Sequence, residues 1–180
     1  MRKAAWLGTA LALAAAAAVP GSASEKIVDD TAMAEVFNKA CLQPGTEQAI
    51  RAQVAADGGW SKAEVDPSLT IGSRKDPKTY DAFSRTVDGK QLQLVLVKFP
   101  KRSSEFMCVL LVPDVPNMMP YLDAFRSAAK AAGLKGYETD LPHLFRTKGR
   151  LASGIKAQSD LFSRSPFLPG QKAMHMVLMY

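Results

Sequence analysis

Several groups of residues in this 180-residue chain have types and spacings suited to chemistry. Glu138, Asp140 and His143 lie within six positions of one another, and a carboxylate beside an imidazole is the arrangement that orients a general base. A small hydrolase using His143 with Asp140 or Glu138 also needs a nucleophile, and no serine in a G-x-S-x-G turn accompanies them. Ser127 with Lys130 and Ser153 with Lys156 both fit S-x-x-K, in which the amine helps to activate the hydroxyl. Thirteen serines and fourteen lysines produce such a spacing by chance, and the S-D-N and K-T-G elements of that chemistry are absent.

Met174-His175-Met176 offers soft thioethers of the kind that bind Cu(I). In a strand, however, Met174 and Met176 share one face and His175 takes the other, so the methionines read as core packing. Neither a metal site nor a cofactor is expected. The stretch from Ser159 to Gly170 sets Phe162 and Phe167 beside Arg164, an amphipathic mixture suited either to binding or to packing beneath a loop.

Cys41 and Cys108 are the two cysteines. From Asp30 as N-cap, Met33, Val36, Phe37, Ala40 and Cys41 fall on one helical face. In the apolar run EFMCVLLV, Phe106, Cys108, Leu110 and Val112 share a strand face. Both thiols therefore point inward, and a Cys41–Cys108 disulfide would clamp the first helix to that strand with a stabilisation of about 2–4 kcal/mol. The beginning of the chain agrees with the oxidising compartment this bond needs. Arg2 and Lys3 precede an apolar run from Ala4 to Val19 and then small residues. That pattern reads as a secretory signal peptide over residues 1–24, with cleavage after Ala23 or Ser24, followed by a single α+β domain over 25–180 in the periplasm or outside the cell. No stable membrane span is expected after cleavage.

The elements that must position these groups follow from periodicity. Pro44-Gly45 ends the first helix, Thr46 caps a second, and Gly58-Gly59 stops it. Residues 61–78 read as turns anchored by Trp60 and Ile71. Tyr80 to Val87 and Lys90 to Phe99 form a hairpin across Asp88-Gly89. The EFMCVLLV strand is apolar on both faces and is expected at the sheet centre. Asn117 caps a third helix, Met118 to Ala132, with Met119, Leu122, Phe125, Ala129 and Ala132 inward and Gly133 beyond its end. Arg150 to Ala157 reads as a strand, 158–171 as a long loop and Lys172 to Tyr180 as the last strand. The expected fold is α+β, a mainly antiparallel sheet of about five strands with two N-terminal helices and one helix between strands three and four.

Charge is unevenly spread along the chain. Residues 25–66 hold eight acids and four bases, whereas 67–180 hold nine acids and seventeen bases. Bases crowd the expected turns, and Lys98, Lys101 and Arg102 with Arg164 are the candidate anion-binding residues. Nucleic acid is not the expected partner, because no recognition motif interleaves aromatics with the bases. Taken together these features favour a non-catalytic binding or interaction module whose basic face meets an anionic envelope component or an acidic protein.

Overall fold

A computed structural model describes residues 30–64, 79–99, 106–115, 117–137, 144–162 and 173–180. The described residues begin with α1 (Asp30–Phe37), which continues into a π-helical turn at Asn38–Leu42, and then α2 (Glu47–Ala56). A meander follows: β1 (Ser61–Ala63), β2 (Thr79–Val87), β3 (Lys90–Lys98) and β4 (Phe106–Pro113). A 3-10 turn at Met119–Tyr121 leads into α3 (Leu122–Ala131). A second meander comprises β5 (Leu134–Tyr137), β6 (Leu144–Arg150), β7 (Lys156–Phe162) and β8 (Ala173–Met179). All eight strands lie in one antiparallel sheet of order β1-β2-β3-β4-β8-β7-β6-β5. Helix followed by a four-stranded meander thus occurs twice, and the last strands of the two meanders pair at the sheet centre, Leu110 against Met176 and Cys108 against Leu178.

Local chemistry explains the boundaries that the sequence marks well. Thr46 Oγ1 accepts from the Ala49 amide at 3.2 Å, satisfying one of the free N–H groups of the first turn of α2. Asp88 and Gly89 both take positive φ (50° and 79°), the requirement of a two-residue hairpin turn. Asn117 Oδ1 accepts from Met119 N at 3.0 Å ahead of α3, and Gly133, at φ 92°, ends it with its N–H donating to Lys130 O.

The helices cover one face of the sheet. Met33 and Phe37 of α1, Ile50 and Val54 of α2, and Phe125 and Ala129 of α3 share a core with Leu94, Cys108, Leu110, Met174 and Met176. Each large side chain buried there contributes roughly 1.5–3 kcal/mol. Cys41 and Cys108 are bonded, with Cα atoms 5.9 Å apart and both residues fully buried. Val95, Val97, Val109, Leu111 and Val177 form a second buried cluster on the opposite face. As the apolar pattern implied, β4 lies between two neighbours and is buried on both sides.

The expected architecture of about five strands with two N-terminal helices and one helix between strands three and four is corrected: the sheet has eight strands, and α3 enters between the fourth and fifth. The missed strands have physical reasons to be hard to see. β1 is three residues long and carries no alternation, and β5, LKGY, has a glycine in its four residues. β6, LFRTKGR, carries three cations, yet Arg146 is matched across the sheet by Asp160 of β7. The strand expected over Arg150 to Ala157 is mostly a turn, closed by Leu151 N to Ile155 O at 3.0 Å; β7 keeps only the last two residues of that expected strand and takes 158–162 out of the expected loop. Within α3 the inward stripe is also adjusted. Met119 is exposed, and Met118 takes the buried place, because a 3-10 turn rather than an α-helical one opens the element.

Candidate functional site

α3 buries Leu122, Phe125 and Ala129, so helical periodicity turns Arg126 and Lys130 outward, one turn apart. Beside them, Leu134 and Gly136 of β5 and Phe145 and Thr147 of β6 occupy the sheet face that the helix covers. Together these residues line a groove of about 450 Å³. The Arg126 guanidinium lies over the Phe145 ring, 4.6 Å from its centroid, and the ring in turn meets Phe125 edge-on at 6.1 Å. A side chain at Gly136 would place its Cβ 2.8 Å from the tip of Phe145. The edge strand is therefore bare where the ring sits. Thr147 Oγ1 donates to Ser159 O at 3.1 Å and leaves the floor apolar. Lys135 also lines the groove, although its register, opposite Lys148, sends its side chain toward the other sheet face.

Two further grooves differ in charge. One of about 200 Å³, between α1, α2 and β2, holds Trp60 and Arg85, but Arg85 is paired with Asp57 at 2.6 Å and Lys39 with Glu35 at 2.6 Å. The other, about 610 Å³ near the β2–β3 hairpin, carries Lys90 with Glu64 and Asp114 among Gln91 and Gln93.

Ion pairing separates the two halves of the sheet. In the first half, Arg51 meets Glu47 and Asp81, Lys62 meets Asp81, and Lys98 meets Glu47 at 3.2 Å. Lys62 and Arg51 hold the Asp81 carboxyl below its ordinary range by hydrogen bonding. In the second half, Lys130, Lys135, Arg150 and Lys156 make no ion pair among the described residues, and Arg150 donates only to Gly154 O.

The sequence candidates fall out as follows. Cys41 and Cys108 are joined, while Lys98 is engaged by Glu47. Lys101, Arg102, Arg164, Glu138, Asp140, His143 and Phe167 lie outside the described residues, as does the whole of 1–29. The described strand ends still constrain the connections. Lys98 and Phe106, which the 99–105 segment joins, pair at one end of the sheet. Phe162 and Ala173, which 163–172 joins, lie at the other end, where Ala173 faces Pro113, roughly 20–25 Å away along β4. Ser153 Oγ donates to Gly45 O at 3.3 Å, and Ser127 sits on the exposed face of α3. Met174 and Met176 are fully buried in the helix-side core, and His175 is fully buried on the opposite face between Leu111 and Phe162. Burial lowers the His175 pKa to about 4, so its imidazole is neutral at pH 7. Among the described residues no three His, Cys, Asp or Glu side chains gather as metal ligands, and no helix is long and apolar enough to cross a membrane.

The groove residues Arg126, Lys130 and Phe145 were missed by sequence reasoning. The outward Arg126–Lys130 spacing was readable on the expected third helix, but Phe145 joins it only through β5 and β6. Comparison of the chain with protein-family models, curated proteins and solved structures finds no match.

Proposed function

We propose that this protein is an exported, non-catalytic binding module, periplasmic or secreted, whose basic half meets an anionic envelope partner. The observation that carries the reading is the contrast in neutralisation. All described cations of the α1–β4 half except Lys90 are tied into ion pairs with Glu35, Glu47, Asp57 or Asp81, whereas in the α3–β8 half Arg126 and Arg146 are paired but Lys130, Lys135, Arg150 and Lys156 make no ion pair among the described residues. A polarised charge distribution of this kind steers an anionic partner toward one side of a protein. The buried Cys41–Cys108 bond and the leader-like residues 1–24 support export to an oxidising compartment. Lys101, Arg102 and Arg164 remain part of the proposed basic surface, whereas Lys98 is engaged by Glu47. The strands flanking 101–102 and 164 stop at opposite ends of the sheet, so the two sets are tested separately.

The test is co-sedimentation of the folded protein with anionic and with zwitterionic lipid vesicles, and with an anionic polysaccharide, at about 0.05 and 0.5 M salt. Binding to the anionic probes alone, weakened by salt and by Arg150→Glu with Lys156→Glu, is the expected result. Lys101→Glu with Arg102→Glu, and Arg164→Glu, report on the 100–105 and 163–172 segments. Binding indifferent to salt and to every charge reversal would reject the reading.

A further inference from the structure

We propose that the groove between α3, β5 and β6 is a site for a single-chain amphiphile with a phosphate or similar anionic head. Arg126 and Lys130 hold the head, and the first carbons of the chain lie on Phe145 and Leu134. This rests on the reading that the α3–β8 half receives an anionic partner, and it adds the place and the class of ligand.

The cationic wall is the first observation. Arg126 and Lys130 stand at i and i+4, a like-charge spacing that sets two cations side by side at a small repulsive cost, with Lys130 in the last turn where the helix dipole favours it. Arg126 has a 3.4 Å contact to Asp123, whose side chain is 93% exposed, and Lys130 has no ion pair among the described residues. Both side chains can therefore turn to one external anion, with the Arg126 guanidinium presenting N–H donors at its edge while its plane rests on Phe145.

The floor is the second observation. Leu134 and Phe145 are apolar, the Thr147 hydroxyl is already used on Ser159 O, and Gly136 adds no side chain over the ring. A free phosphate or a sugar polymer would engage only the cations, and a neutral amphiphile only the floor. An anionic amphiphile uses both. The groove volume, about 450 Å³, lies within the roughly 300–1,000 Å³ of small-molecule sites. The other two grooves balance their cations with carboxylates and offer no such combination.

The experiment titrates the folded protein calorimetrically with dodecyl phosphate below its micelle concentration, with inorganic phosphate and with dodecyl maltoside. Dodecyl phosphate is expected to bind once per chain, at least about tenfold tighter than either control. Arg126→Gln with Lys130→Gln, both at exposed helical positions, should weaken it at least about tenfold. Lys39→Gln, an exposed position in the π-helical turn after α1 and outside the groove, should change it within about twofold. In the unmodified protein, NMR shifts on adding dodecyl phosphate should centre on Gly136, Phe145 and Lys130, which keeps the test independent of how the variants fold. Equal affinity for dodecyl maltoside, or shifts centred elsewhere, would overturn the assignment. If the Arg126→Gln with Lys130→Gln variant keeps full dodecyl phosphate affinity while vesicle binding stays salt-sensitive, the groove fails and the broader reading stands. If vesicle binding ignores salt while dodecyl phosphate follows the groove variants, the broader reading fails and the groove stands.

Discussion

Asp160 is fully buried on β7 and receives a two-pronged contact from Arg146 of β6, Nε to Oδ1 at 2.8 Å and Nη2 to Oδ2 at 2.7 Å, with Gln158 Nε2 adding a bond at 3.1 Å. The two partners differ in exposure, 0% for the Asp160 side chain and 28% for Arg146, so removing one is not equivalent to removing the other. Arg146→Met keeps most of the stem volume and leaves a buried carboxylate with Gln158 alone. Breaking a buried pair in this way costs about 3–5 kcal/mol. Asp160→Asn keeps the shape and leaves a guanidinium that is partly in water already, so the expected loss is about 1–3 kcal/mol. Replacing both, Arg146→Met with Asp160→Leu, removes the charge and its desolvation together and should lie within about 1 kcal/mol of the parent protein. Urea unfolding followed by far-UV circular dichroism measures all three, with unchanged denaturant slopes as the check that the native and unfolded states are comparable. If both single variants cost the same, or the double variant costs the sum of the singles, Arg146 and Asp160 do not act as the coupled, unequally buried pair on which these magnitudes rest.

The remaining predictions concern pH and the disulfide. His175 titrates at about 4 in the folded protein against an ordinary 6.5, so the unfolded chain takes up its proton first as pH falls. Native stability should therefore be complete above pH 6.5 and fall by about 3 kcal/mol as pH drops toward 4; urea midpoints at pH 7 and pH 4.5 measure this, and His175→Leu should remove most of the slope. Asp81, held low by Lys62 and Arg51, contributes in the same direction but only below its ordinary 3.8, which separates the two windows. Cys41→Ala with Cys108→Ala opens a 67-residue loop and should cost about 2–5 kcal/mol. Because both sulfurs are buried, thiol alkylation of the native protein in mild reductant should report no free cysteine until the fold opens.

How much was legible depended on whether a feature was local. The Thr46 cap, the Asp88-Gly89 turn and the Gly133 stop each rest on a few neighbouring residues, and each stands where the residue types placed it, whereas Asn117 accepts from Met119 N ahead of a 3-10 turn and does not cap α3 itself. β4 was legible because an uninterrupted apolar run is the signature of a strand covered on both faces. β6 was not, because its sequence reads as charge while the partner that satisfies Arg146 is a carboxylate fourteen positions later. The α3 groove was half legible: the Arg126–Lys130 spacing belongs to one helix, but its apolar floor belongs to strands whose own signals are weak.

By itself the sequence determined which faces of the helices and of the central strand turn inward, and hence that Cys41 and Cys108 point toward one core. It also determined the excess of bases in the later part of the chain. Only the tertiary structure decided that the chain makes two meanders rather than one, and that β8 returns to pair with β4 at the centre. Strand order depends on contacts between segments more than sixty residues apart, and hydrophobic alternation is the same for a strand whichever neighbour it finds. The structure alone likewise decided which of the described cations carry an ion pair: Lys98 and Lys130 are the same residue type, and only folding sets one against Glu47 and the other beside an apolar groove.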